Sequence, residues 1–173
     1  MSTKKHYVNN KDFCAALVEY KAKLKEDPNA RVSNYIGICI RQINTRLATK
    51  PNFSGYSFKD EMISDGLENC IAAVNGFNAE KSVNAFAYFT QIAWNAFIRR
   101  IQKEQKEVYI KHKNMQNMFI LQSVHTSSFD DFDMGQQNNN EISNEIIKSY
   151  ENKLTKTKKH VTVGLEKFIE EAP

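Results

Sequence analysis

Apolar residues recur at helical spacing through most of this chain. Phe13, Ala16, Leu17, Tyr20 and Leu24 fall on one stripe, which predicts a helix from Asn10 to Lys25, ended by Asp27-Pro28. Ile36, Ile40, Ile43 and Leu47 predict a second helix from Ser33 to Thr49, stopped at Lys50-Pro51. Asn52 to Tyr56 reads as a turn-rich connector. Ser57 stands three residues before Asp60, which reads as an N-cap with a short acidic partner. The helix it opens runs to about Val74, with Ile63, Leu67, Cys70, Ile71 and Val74 as its core stripe. Asn75-Gly76 is its expected stop, with Gly76 in the left-handed conformation. Gly66, in mid-helix, costs about 1 kcal/mol against Ala and fits a place where another element comes close. Asn78 to Val83 reads as a loop. Asn84 then caps a long helix reaching at least Lys113.

Past Phe119 the periodicity fades. Ser127 to Asn140 is polar, simple in composition and locally acidic at Asp130, Asp131 and Asp133, and reads as a mobile linker. A short helix over Glu141 to Asn152 is expected from Ile142, Ile146, Ile147 and Tyr150, and basic residues and an apolar-acidic tail follow. The expected organisation is a loose segment 1–9, a helical domain 10–118, a linker 119–160 and a tail 161–173. With few Gly and Pro and hardly any alternating apolar runs, the expected fold is all-α.

Composition narrows the chemistry. Cys14, Cys39 and Cys70 are far apart, form no CxxC pair and are odd in number, which argues against zinc and against a disulfide framework. They sit at apolar positions and read as buried free thiols. His6, His112, His125 and His160 are scattered, and neither a P-loop nor a nucleophile motif is present, so the chain does not read as an enzyme and no cofactor is expected. No apolar run reaches the ~18 residues of a membrane span and no signal peptide is evident, so a soluble cytoplasmic protein is expected.

Two segments carry the functional signal. In the first, Glu61, Asp65 and Glu68, with Asn69 beside them, line a face away from the core stripe. That face is either the solvated side of an ordinary amphipathic helix or a docking surface for a basic partner. The second, from Ala85 to Ile98, is apolar on nearly every side. Arg99, Arg100, Lys103, Lys106, Lys111 and Lys113 follow it, against only Glu104 and Glu107. The local excess of four positive charges equals the net charge of the whole chain, +4. It is either a core helix with a solvated basic end or a surface for single-stranded DNA, where rings stack on bases for about 1–3 kcal/mol each and cations pair with phosphates.

These segments resemble region 2 of bacterial sigma factors. Glu61 to Asn78, EMISDGLENCIAAVNGFN, is similar without a gap to DLIQEGNIGLMKAVDKFE of the primary sigma factors. AYFTQIAWNAF, Ala87 to Phe97, resembles their TYATWWIRQAI and the AWLYRIARNLA of the extracytoplasmic-function type. YVNNK (Tyr7 to Lys11), NFSGY (Asn52 to Tyr56), EMISDGLE and the Thr90 to Val108 stretch resemble the late-transcription sigma factors of T-even-like phages.

The resemblance implies contacts residue by residue. Asp60, Glu61, Ser64, Asp65, Leu67 and Ile71 match positions that dock on the clamp helices of the largest subunit of bacterial core RNA polymerase. Tyr88, Gln91, Ile92, Asn95, Ile98 and Arg99 match positions that capture an opened −10-like, AT-rich promoter element, with Trp94 and Phe97 nearby and Arg100, Lys103 and Lys106 as phosphate contacts. Gln91 and Ile92 replace the tryptophan pair of primary sigma factors. No helix-turn-helix follows Lys113, so only a −10-like site is expected to be read. Leu165, Phe168 and Ile169 resemble a motif that grips the phage DNA sliding clamp, a tether that raises effective concentration; a frayed terminal helix is the other reading of these residues. A phage co-activator and the cytoplasm of an infected bacterium complete the implied setting. Two alternatives stay open: a sequence-nonspecific helical DNA-binding protein, and a polymerase-binding regulator that never touches DNA.

Overall fold

A computed structural model of the chain describes residues 7–79, 84–125 and 141–155. Among them every regular element is helical, so the fold is all-α as expected. The chain divides into two compact units, Met1–Ile101 and Gln102–Pro173, so the expected domain 10–118 straddles a division.

In the first unit, α1 spans Asn10–Glu26 and α2 spans Asn34–Ala48. Asn9 caps α1 by accepting the Lys11 N–H at 3.1 Å, and its amide donates to Asp12 at 2.8 Å. Ser33 caps α2 through the Ile36 N–H. Such caps each stabilise a helix by about 1 kcal/mol. Phe13, Leu17 and Tyr20 bury one face of α1, and Ile36, Cys39, Ile40, Ile43 and Leu47 bury one face of α2. The expected loose N-terminus is corrected at its end: Val8 is buried, and the Tyr7 ring lies edge-on to Phe86 with centroids 5.7 Å apart.

The stretch expected to be a connector holds a short helix, α3, Pro51–Ser54, with Pro51 in its first turn, where a missing N–H costs nothing. Its Phe53 is fully buried, edge-on to Trp94 at 4.7 Å and to Phe97 at 5.2 Å. Helix α4 spans Lys59–Ala73 and starts after Phe58 without a side-chain cap, so Ser57 does not serve as its N-cap.

The core stripe of α4 also differs from expectation. Met62, Gly66 and Cys70 are its buried residues, Ile63 and Leu67 flank them half-buried, and Ile71 is 53% exposed. The face turns because Gly66 admits neighbours that a side chain would exclude. A Cβ there would run into Asn44 Oδ1 and lie 2.8 Å from Phe97 Cε1. The helix closes in a 3-10 turn, Val74–Gly76, with Phe77 N–H bonded to Val74 at 3.3 Å. No described residue has a positive φ, so Gly76 is not left-handed; the tightened turn satisfies the terminal carbonyl instead.

Helix α5 spans Ala85–His125, in agreement with a helix expected to reach at least Lys113. Two asparagines meet its free N-terminal donors: Asn84 accepts from Ala87 N–H and Asn10 from Phe86 N–H, both at 3.0 Å. Ala85, Phe89, Ala93, Ala96 and Phe97 face inward. Phe89 packs against Phe13 with ring centroids 5.3 Å apart.

The second unit holds the later part of α5 and helix α6, residues 141–155, which agrees with the expected short helix. Tyr109 and Tyr150 stack with centroids 4.7 Å apart, Tyr109 donates to Glu151 at 3.2 Å, and Lys113 pairs with Glu151 at 3.6 Å. Desolvation, and then the Glu151 carboxylate, raise the Tyr109 phenol above its ordinary range. His112 bonds Ser143 at 2.9 Å, and Ile147 is buried. Ile142, expected on the apolar face, is exposed.

Candidate functional site

The register that buries Met62, Gly66 and Cys70 turns another face of α4 to solvent. Asp60, Ser64, Glu68 and Ile71 follow one another at i, i+4, i+8 and i+11, all exposed, with Glu61 alongside. Ser64 Oγ donates to the Asp60 carbonyl at 3.0 Å, which keeps that hydroxyl on its own helix. Leu67 is half-buried against the core. The result is an acidic strip with one large apolar side chain open to solvent.

Asp65 does not stand free on that strip. Its carboxylate takes both arms of Arg100, Nε to Oδ2 at 2.6 Å and Nη2 to Oδ1 at 2.9 Å. The side chains are 31% and 18% exposed. This fork-to-carboxylate geometry is the strongest form of side-chain ion pair. Asp65, expected to meet a partner, and Arg100, expected to meet phosphate, are in this structure paired with each other, and the two charges largely neutralise each other. One turn further on, Arg99 Nη2 donates to Asn69 Oδ1 at 2.7 Å, and Asn69 Nδ2 returns to the Asp65 carbonyl at 2.7 Å. Asn69 was visible in the sequence only as a neighbour of the acidic face. Its role as the Arg99 partner, 30 residues away, carries no local signal.

The aromatic segment of α5 is used mostly from within. Phe97 is fully buried, so its ring is not offered to bases; Phe53 and the gap at Gly66 draw it inward. Tyr88 is half-buried, packed on Phe77 and Phe89, with its hydroxyl donating to the Ala73 carbonyl at 3.4 Å. Ile92, Trp94 and Ile98 are half-buried against the core. What α5 exposes here is a polar row, Gln91, Asn95 and Arg99, at i, i+4 and i+8. Gln91 Nε2 donates to Asn95 Oδ1 at 3.1 Å, leaving the remaining amide groups as donors and acceptors of the kind that read base edges. In the second unit Lys103 and Lys106 are exposed, with Lys103 3.9 Å from Glu107, a distance that contributes little to stability. Leu165, Phe168 and Ile169 lie outside the described residues.

None of the three cysteines is in a disulfide, and Cys39 and Cys70 are buried and Cys14 half-buried. Cys70 donates to the Phe89 carbonyl at 3.6 Å, and burial pushes its pKa up to about 11. A thiol held protonated in this way is a packing group and not a nucleophile. Among the described residues, no set of three or more His, Cys, Asp or Glu side chains is placed to hold a metal ion, and no helix is long and apolar enough to cross a membrane. Comparison of the sequence with protein-family models and with curated proteins finds no match.

Proposed function

We propose that the chain is a region 2-like transcription initiation factor of the phage late sigma type. It docks on bacterial core RNA polymerase through α4 and engages an opened, AT-rich, −10-like promoter element through α5. The observation that carries this reading is the exposed strip of α4, where Ile71 stands open at the end of a row of acidic and polar residues. An apolar contact ringed by complementary charge is what a basic helical partner needs for affinity and register.

On the DNA side, the supporting features are the exposed row Gln91, Asn95 and Arg99 and the half-exposed faces of Tyr88 and Trp94. Groups that bind unpaired bases better than paired ones shift the duplex toward the open form without covalent chemistry. Lys103 and Lys106 supply sequence-independent phosphate attraction. The tail residues Leu165, Phe168 and Ile169 would link the factor to the phage sliding clamp, with a co-activator as a further partner.

The test mixes the protein with core polymerase and a premelted AT-rich template. Position-specific initiation is the expected result, lost when Ile71 is replaced by Asp, a change at an exposed site that leaves the fold intact. A second reading has its own support: burial of Phe97 and pairing of Arg100 remove two expected DNA contacts, which favours a polymerase-binding regulator without promoter recognition. Association with core polymerase and no initiation would establish that reading instead, and failure to associate with core polymerase would remove both.

A further inference from the structure

A second cationic surface lies on α2, a helix that carries none of the residues assigned above. From residue 28 to residue 59 the chain has no Asp or Glu, while Arg31, Arg41, Arg46, Lys50 and Lys59 fall within it. At the chain's average density this stretch would hold roughly four acids, so the absence is a local charge bias. The outer face of α2 borders a groove of about 310 Å³ lined by Tyr7, Ile38, Arg41, Gln42, Thr45 and Arg46. That is the lower end of the roughly 300–1,000 Å³ of small-ligand sites.

The groove is partly organised in advance. The Arg46 guanidinium lies 5.4 Å from the centroid of the Tyr7 ring, a cation–π contact, and Phe86 braces the same ring from its edge. Neither Arg41 nor Arg46 has an ion-pair partner among the described residues, and both are exposed. The charge that acts on Tyr7 is Arg46. A carboxylate of the neighbouring helix, Asp12, acts on Tyr35 and Cys39, six and two residues before Arg41 on α2. Two guanidiniums, a hydroxyl, a carboxamide and an aromatic ring, with no acid among them, match a phosphodiester with its adjoining sugar and base.

We infer that this face of α2 is a nucleic-acid backbone site, holding phosphates on Arg41 and Arg46, with Thr45 and Gln42 as neutral partners. It recognises the backbone and not a sequence, because the two guanidiniums are its charged groups and phosphate is the group they match in every sequence. It is independent of polymerase docking by α4 and extends the DNA contact beyond α5.

The test is fluorescence polarisation of the full chain, without polymerase, using a labelled single strand of about 20 nucleotides and the matching duplex, from about 50 to 300 mM KCl. Replacing Arg41 and Arg46 together by Ala is expected to weaken single-strand binding about tenfold at low salt. The same change lowers the slope of log affinity against log salt by roughly 1.4, two phosphates at ~0.7 each. The loss is equal for unrelated sequences. Replacing both by Lys keeps most of the slope. Circular dichroism and urea unfolding of the variants confirm the fold, since both side chains are solvent-facing. A poly-glutamate probe stands in for an acidic protein. Unchanged DNA affinity and slope in the Ala variant overturns the inference. So does absence of DNA binding by the parent chain, or a loss confined to poly-glutamate. Because polymerase is absent from the assay, a failure to initiate leaves the comparison of parent and Ala variant on free DNA untouched, and the two failures are distinguishable.

Discussion

Gly66→Ala tests the geometry that orients α4. Intrinsic helix propensity favours Ala over Gly by about 1 kcal/mol at a mid-helix position. The structure opposes that gain. A Cβ at residue 66 would collide with Asn44 Oδ1 and approach Phe97 Cε1 to 2.8 Å and Asn44 Cγ to 3.1 Å. Neither neighbour yields easily. Asn44 is fully buried, its amide nitrogen held by the Ile40 carbonyl at 2.9 Å and by Cys70 Sγ at 3.8 Å, and Phe97 is wedged against Phe53. Overpacking costs about 1–3 kcal/mol, and breaking the buried Asn44 bond costs about 1–3 more. Net destabilisation of about 1–5 kcal/mol follows. Urea unfolding should show a lower midpoint with an unchanged slope. Among the described residues Asn44 Oδ1 has no hydrogen-bond partner, so Asn44→Ala removes the obstruction and forfeits only the bonds of the amide nitrogen. In the double variant the two changes should be coupled by more than about 1 kcal/mol in the favourable direction. A raised midpoint for Gly66→Ala alone would show that propensity wins and that α4 is not clamped at this point.

The Asp65–Arg100 pair is half-shielded and bidentate, so each of Asp65→Asn and Arg100→Ala should destabilise by about 1–2 kcal/mol after allowance for solvent screening, with a double-mutant cycle in urea recovering about 1 kcal/mol of coupling; additive losses would refute the pairing. Asp65→Lys should consequently lower stability as well as any docking, unlike the exposed change Ile71→Asp. The Cys70 thiol is held at about 11 against an ordinary value of 9.0, so the folded state keeps the proton longer than the unfolded chain. Its contribution to stability is complete below about pH 9 and is lost as pH rises from there to about 11, by about 3 kcal/mol at most. Comparing urea midpoints at about pH 8 and pH 10.5 with those of Cys70→Ala isolates this effect, and parallel pH dependences would refute it. Deleting residues from Leu165 onward should spare basal initiation and abolish only clamp-stimulated initiation in a transcription assay; an unchanged response to the clamp would remove the tail from the proposal.

Several of these tests turn on residues whose environment was not legible in the sequence. The acidic face of α4 was visible in one dimension, yet the state of Asp65 was not, because Arg100 is 35 residues away. The apolar stripe of α4 was misplaced by about one position. Hydrophobicity weighs Ile71 heavily and glycine hardly at all, while close packing rewards the smallest residue where helices meet. In α5 almost every position from Ala85 to Ile98 is apolar, so periodicity did not distinguish buried Phe97 from half-exposed Trp94. The gap at Gly66, which Phe97 enters, makes that choice, and Phe53, from a four-residue helix that reads as a turn, packs on both rings.

Short-range physics is what the amino-acid sequence determined unaided: the helical class, the spans of α1 and α2, the cap at Asn84, and the short helix near residues 141–155. Each depends on residues within a turn or two of one another, where spacing and side-chain chemistry act directly. Tertiary structure decided which face of α4 is buried, which rings of α5 meet solvent, and which charges are already paired. Those outcomes depend on steric fit and electrostatic pairing between segments tens of residues apart, and only the assembled core brings them together.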